Sequence, residues 1–375
     1  MLMSAAPPAS IAPSRLVSLD VFRGLTMASM VIVNNPGDWG NVYGPLLHAP
    51  WHGWTPTDLI FPFFLFIVGV SITLSSKSSG TAPILRRGAI IFALGLFLNG
   101  YPRFDWSRWR IPGVLQRIAL CYVAAAFAYL VIQGDFRRRA TALGGLGLAL
   151  CFAYYAAMML IPVPGGGAGD LSPEGNLGAY LDRALLGGHL WRPMWDPEGL
   201  LSTVPAVATT LFGVVAGLWL KTDAGATVKV RGLVIAGIAG IVAGYAWHPF
   251  FPINKNIWTS SYVLFTAGAA VLLLALCYWT IDVRGWRRWT PPFVILGVNA
   301  ITLFVGSALL VKTMNWITVA GGDGGSITLS RWIYTSWFVP LASPKNASLL
   351  YALANLVLLF GVLAWMYRRR IFLRV

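Results

Sequence analysis

Residues 56–76 read PTDLIFPFFLFIVGVSITLSS, a run whose one charged side chain, Asp58, stands near its start. At about 1.5 Å per residue such a run makes a helix of about 30 Å, the thickness of a bilayer's hydrocarbon core, and this length and apolarity mark a membrane span. Similar runs recur near 17–34, 88–101, 112–133, 141–162, 204–220, 232–251, 259–281, 291–313 and 347–367, the one at 88–101 being short. The fold class that follows is an all-α polytopic membrane protein with about ten transmembrane helices embedded in the lipid bilayer. Composition agrees: 57% of the 375 residues are hydrophobic and 11% are charged, where a soluble domain carries about a quarter charged residues. The 28 Lys and Arg outnumber the 13 Asp and Glu. Between membrane spans that excess marks cytoplasmic loops, and no nucleic-acid partner is expected.

Most of the basic side chains fall into one set of alternating loops: Arg86 and Arg87, Arg137 to Arg139, Lys221, Lys229 and Arg231, Arg284, Arg287 and Arg288, and Arg368 to Arg370. Placing that set inside puts both termini in the cytoplasm. His48, His52, His189 and His248 then lie on the outer side with most of the acids, so a working site is expected to open outward. Residues 1–14 (MLMSAAPPASIAPS) lack the basic start of a signal peptide and read as a disordered tail before a single transmembrane domain over 15–375. One long connection, about 163–203, is rich in Trp, His and Pro and reads as a packed cap over the outer face. Cys121, Cys151 and Cys277 sit inside apolar runs and suggest no disulfide framework.

The polar chemistry concentrates after the first span, in VNNPGDWGNVYGPLLHAPWHGWTPTD. His48 can move a proton near neutral pH, and Asp58, ten residues on across a Pro-containing turn, can fix its tautomer. Asn34 or Asn35, at the outer end of the first helix, can offer an amide to a developing oxyanion. The same residues also suit an interfacial His held by backbone carbonyls, with Asp58 capping the second helix. His48 and His52 have the spacing of a helical zinc pair, but Pro50 and Gly53 oppose a helix there, and no metal is expected.

Arg23 and Arg117 lie within spans, where a charge needs a partner or a polar cavity. Arg23 has Asp20 three residues back for an ion pair, and either arginine suits an anion such as phosphate. Asn254, Lys255 and Asn256 form a polar group at the outer rim, readable as a pocket edge or as solvated interface. Glu198, in WDPEG, reads as a helix cap. No P-loop, GxSxG elbow or dinucleotide fingerprint is present, and GGLGLAL at 144–150 reads as a helix-packing face.

RLVSLDVFRGL, HAPWHGWTPTDLIFPFFLFIVG, RIPGVLQRIAL, IPVPGG, YLDRALLGGHLW, DPEGLL, INKNIWTSSY and YRRRIFLRV, in this order from residue 15 onward, resemble the heparan-α-glucosaminide N-acetyltransferase family of membrane acyltransferases. The resemblance implies an enzyme that takes acetyl-CoA from the cytoplasm and acetylates the amino group of a terminal glucosamine across the membrane. It puts the catalytic role on His48, with Asp58 as its carboxylate and Asn34 or Asn35 as the helix-end asparagine. The donor's phosphates would lie near Arg23, Arg117 or Lys255, with Asn254 and Asn256 beside them. The compact form, without a lumenal domain or an eleventh span, resembles a bacterial member of the inner (cell) membrane. Its acceptor is then an amino sugar or glycan of open identity, and the resemblance admits a homodimer. The rival reading is a secondary transporter with an outward polar cavity, its helices interrupted by Pro62, Pro205 and Pro252.

Overall fold

The structure, a computed structural model, describes residues 16–74, 80–321 and 325–373. The expected tail over 1–14, like Lys77 and Arg374, lies outside the described residues. The spans are α1 (Val17–Asn34), α2 (Ile60–Leu74, entered through a 3₁₀ turn at Pro56–Leu59), α3 (Thr81–Gly100), α4 (Val114–Val131) and α5 (Phe136–Leu160). A short α6 (Leu177–Leu186) precedes α7 (Thr203–Leu220), α8 (Ala226–Trp247) and α9 (Ser260–Cys277). Then come α10 (Pro291–Val298), α11 (Ala300–Trp316), a short α12 (Leu329–Ile333) and α13 (Pro344–Arg368). Among the described residues nine helices are long and apolar enough to cross a membrane, and α10 with α11 makes a tenth span bent by 79°. The chain is an all-α multi-pass membrane protein.

The span expected at 291–313 is therefore broken, and at Asn299 rather than at a proline. Asn299 leaves the helical region (φ −109°, ψ 38°), and Arg23 donates to the freed carbonyl of Gly297 at 3.3 Å. Pro62 and Pro205 instead sit in the first turns of α2 and α7, where a missing N–H costs little, and Pro252 lies in a loop. Pro62 has a further consequence: it cannot donate to the Asp58 carbonyl, and the buried Tyr262 hydroxyl of α9 donates there in its place.

A second long connection, missed by the reading of 163–203 as the one such segment, runs from α11 to α13. It carries α12 and an antiparallel pair, β1 (Thr318–Ala320) with β2 (Ser326–Thr328), in register Thr318 to Thr328. The 163–203 segment is packed: Trp51 donates through Nε1 to the Leu171 carbonyl at 2.9 Å and stacks edge-on to Trp195.

The bundle is centred on α1 and α7, each 67% buried over its span, with α8 at the rim at 11%. Where helices touch, glycine lets the backbones meet. A Cβ on Gly69 of α2 would stand 1.9 Å from the Thr210 carbonyl, and one on Gly213 of α7 would stand 2.1 Å from that of Phe66. This is the small-residue packing that apolar solvent favours. The expected glycine face at 144–150 is partial: Gly147 faces Phe212, whereas Gly145 faces open space. Both ends of the described chain lie at one end of the bundle: the Ser18 amide bonds Asp282 at 3.2 Å, and Asn299 bonds Ile371 at 3.3 Å.

Candidate active site

α1 stops at Asn34, two residues before Pro36, and the chain returns through a loop to the N-cap Thr55, which opens the 3₁₀ turn leading into α2. Asp58 is the third residue of that turn and closes a capping box: its Oδ2 accepts from the Thr55 amide at 2.9 Å and from the Ala49 amide at 3.0 Å. Its Oδ1 accepts from His48 Nδ1 at 2.6 Å. The carboxylate is 1% exposed, so its position is set by the turn that it caps. The two sequence alternatives for Asp58, helix cap and histidine partner, are both realised by one side chain.

A carboxylate acceptor at Nδ1 keeps the proton on that nitrogen and leaves Nε2 with its lone pair. Lys255 Nζ stands 3.2 Å from Nδ1 and 3.2 Å from Nε2, and 4.0 Å from Asp58 Oδ1. It is carried by the turn between α8 and α9, which the Gly53 amide ties to the His48 loop by donating to the Ile253 carbonyl at 2.7 Å. Burial lowers the pKa of Lys255 below the usual lysine range, against the pull of Glu198 and Asp58.

His48, Asn34, Thr57, Glu198 and Lys255 line one end of a cavity of about 1100 Å³. Arg23, Arg86, Arg87 and Leu373 line the other. On α2 and the 3₁₀ turn that enters it the lining runs from Thr57 to Leu74, a length of about 25 Å at the helical rise. The cavity thus follows the helices through most of the bundle, and its volume exceeds the roughly 300–1,000 Å³ that hold drug-sized ligands.

Of the asparagine pair, Asn34 lines the cavity. Asn35 does not: it is 6% exposed and donates to the Val31 carbonyl at 2.6 Å and to Ser307 Oγ at 3.1 Å. Arg23 lines the cavity, held by Asp20, by Gly297 and by Ser71 Oγ at 2.8 Å. Arg117 lies outside the lining. It is buried over the Trp258 ring at 5.1 Å and donates to the Gly199 carbonyl at 3.1 Å and to Ser202 Oγ, clamping the cap segment to α4. Lys255 is in the cavity but at the His48 end, away from the arginines. Asn254 is fully buried, its Oδ1 accepting from the Ile257 amide at 3.1 Å. Asn256 is not among the lining residues. His52 faces Asn254 at 3.3 Å, and burial together with repulsion from His248 lowers its pKa.

Three cavity residues escaped the sequence reading. Arg86 and Arg87 read as loop charges because the third span was taken to begin at 88, whereas α3 begins at Thr81 and carries both inside the helix. Glu198 lines the cavity and is not the expected helix cap, since α7 begins at Thr203 with Ser202 at its N-cap. Arg110 binds Asp196 through Nε at 2.8 Å and reaches Glu198 as well. Burial opposes the Arg110 charge, yet its pKa stays raised by those carboxylates. The motif carried a usable signal: an arginine ahead of α4 and two acids in WDPEG are the ingredients of such a clamp.

The family profile described as heparan-alpha-glucosaminide N-acetyltransferase, catalytic, matches residues 15–161. The human heparan-alpha-glucosaminide N-acetyltransferase is 31% identical over 79% of this chain and 53% of its own length. The mouse protein of the same name is 32% identical over 79% of this chain and 54% of its own. The chain spans about half the length of the curated relatives that it matches.

Proposed function

From the chain's membership of the heparan-α-glucosaminide N-acetyltransferase family, we propose that it is an acetyltransferase of the inner (cell) membrane with both termini in the cytoplasm. It passes the acetyl group of acetyl-CoA, taken up at the arginine end of the cavity, to the amino group of an amino sugar such as glucosamine at the His48 end. The observation that carries this reading is the His48–Asp58 pair, joined at 2.6 Å at one end of a cavity whose other end is lined by arginines.

Asp58 holds the imidazole so that Nε2 faces the reaction with its lone pair. Glu198 supplies negative charge that draws in the acceptor's ammonium group, which releases one proton to solvent to become the free amine; Nε2 then takes a second proton from that nitrogen as its lone pair attacks the thioester carbonyl. Asn34 donates to the oxyanion, and the Lys255 ammonium adds positive charge beside it. Donor thiolate leaves and takes up a proton; the acyl–sulfur bond breaks as the amide forms. In the two-step form of the same chemistry, Nε2 itself accepts the acetyl group first and the amine attacks second.

The test is purified protein with acetyl-CoA and glucosamine in detergent, followed by free thiol and N-acetylglucosamine. Both products are expected, and both are expected to vanish in His48→Ala. A secondary transporter gives neither, so wild-type protein that releases no thiol would overturn the reading. Labelled acetyl trapped on protein given acetyl-CoA alone selects the two-step form; its absence selects direct attack.

A further inference from the structure

Beyond α13 the chain does not run off into solvent but turns back under the broken span. Arg370 adopts a positive φ of 58°, which folds the following residues against the last helical turn. The Ile371 amide then donates to the Met366 carbonyl at 2.9 Å, and the Phe372 ring packs edge-on to Tyr367 at 5.8 Å. What fixes the segment is Asn299, the residue at the 79° break between α10 and α11. Its side chain, 0% exposed, donates from Nδ2 to the Ile371 carbonyl at 3.3 Å and accepts at Oδ1 from the Leu373 amide at 3.3 Å. One amide side chain thus pairs with the backbone of residues 371 and 373 as a neighbouring strand would. Gly297, Val298, Ala300 and Ile301, on either side of the break, line the cavity, and so does Leu373, 55% exposed at its arginine end.

We propose that Ile371–Leu373, clamped by Asn299 in the helix break, form the wall of the cavity's arginine mouth and position the nucleotide end of the acyl donor. This rests on the donor reading given above. The break and the clamp share one residue: Asn299 leaves the helical region with its backbone (φ −109°, ψ 38°) and holds the returning chain with its side chain. The strap adds Leu373 to a rim where Arg23, Arg86 and Arg87 stand beside the apolar Leu74, Ala82 and Pro83. That combination suits a ligand with an aromatic base and several phosphates, and the short acetyl end gains nothing from it.

The experiment uses the full chain carrying Leu373→Cys. The native cysteines Cys121, Cys151 and Cys277 are all free and buried, so a membrane-impermeant maleimide reports on position 373. Desulfo-CoA serves as the probe because it has no thiol to consume the reagent. It is expected to slow labelling about fivefold or more, as a bound ligand covering the site must, while glucosamine does not. A second readout is Asn299→Ala, in which the KM for acetyl-CoA rises about five- to tenfold while kcat and the KM for glucosamine change less than twofold. A scaffold role alone would lower kcat and move both KM values together. Labelling indifferent to desulfo-CoA in protein that still releases thiol from acetyl-CoA overturns the strap and leaves the enzyme reading standing. Protection by desulfo-CoA without any acetyl transfer supports the strap and sinks the transferase. Neither protection nor thiol release overturns both.

Discussion

The two ends of the cavity hold their charged groups in different ways. At the His48 end the polar atoms are locked to backbone: Asp58 takes two main-chain amides besides the imidazole, and the loops carrying His48 and Lys255 are tied together through Gly53 and Ile253. At the other end the cations rest on softer supports. Arg87 lies over the Tyr122 ring at 4.7 Å, Arg86 is exposed, and only Arg23 is tethered at several points. Rate at a reacting centre falls steeply with misplacement, whereas attraction of a multiply charged ligand tolerates mobile partners. The difference separates a place where bonds change from a place where a ligand is held, and the two should fail differently when mutated.

The largest effect is expected from Asp58→Asn. The amide keeps the shape of the side chain, but its NH2 group cannot accept from the backbone amides or from His48 as the carboxylate does, and the imidazole loses its fixed tautomer. A comparable loss at a histidine–carboxylate pair costs about 10³–10⁴ in kcat. Acetyl-CoA binding, measured by equilibrium titration, should stay within about threefold because the arginine end is untouched. Loss of donor binding to the same degree would show that the two ends are not separable.

Asn34→Ala should follow, with kcat down about 10²–10³ as for other single oxyanion donors. Asn35→Ala provides the contrast. Its amide is spent on Val31 and Ser307, so its loss should appear as about 1–3 kcal/mol of stability in a thermal or denaturant melt, with kcat changed only a few-fold. Equal kcat losses in the two variants would remove Asn34 from its assigned role.

How much of this was legible beforehand divides along the same line. Spans of about 20 apolar residues announce themselves, so ten crossings could be placed from hydropathy, while the short, Pro-bearing separation allowed His48 and Asp58 to meet but left the helix-cap alternative open. The Asn34/Asn35 ambiguity could not be resolved, because one residue of helix rotates a side chain by about 100°, from a cavity to a packed interface. Arg117 was drawn to the donor by the rule that intramembrane charges line cavities, when its partners are the Gly199 carbonyl and the Ser202 hydroxyl, some 82 and 85 residues along the chain. The break at Asn299 gave no signal of its own: what the Asn299 side chain binds is a backbone segment 72 residues downstream.

At the arginine end, Arg86→Gln with Arg87→Gln should raise the KM for acetyl-CoA about tenfold and leave kcat within about twofold, the signature of lost binding rather than lost chemistry. The wild-type KM should also rise with salt and that of the double variant less so, since part of the lost attraction comes from the exposed Arg86, whose charge salt screens. An unchanged KM would mean that the donor's phosphates lie elsewhere, with Arg23 alone as the cavity's anion site.

The smallest effect, and the one that bears on the precise end alone, is a pH limb. Lys255 carries its charge only below its pKa, and burial has moved that pKa down. As pH rises the ammonium is therefore lost earlier than for an exposed lysine, and with it the positive charge beside His48 and the oxyanion. At saturating acetyl-CoA and glucosamine, kcat should fall by about an order of magnitude on the alkaline side. Lys255→Arg retains its charge throughout the accessible range, so the fall should move upward or disappear, even if the planar guanidinium fits less well and lowers kcat overall. Lys255→Met should show the reduced rate at every pH, with no limb. An alkaline fall that persists unchanged in Lys255→Arg would assign the titration to another group, and would leave Lys255 as packing against the imidazole rather than as a charge that the reaction uses.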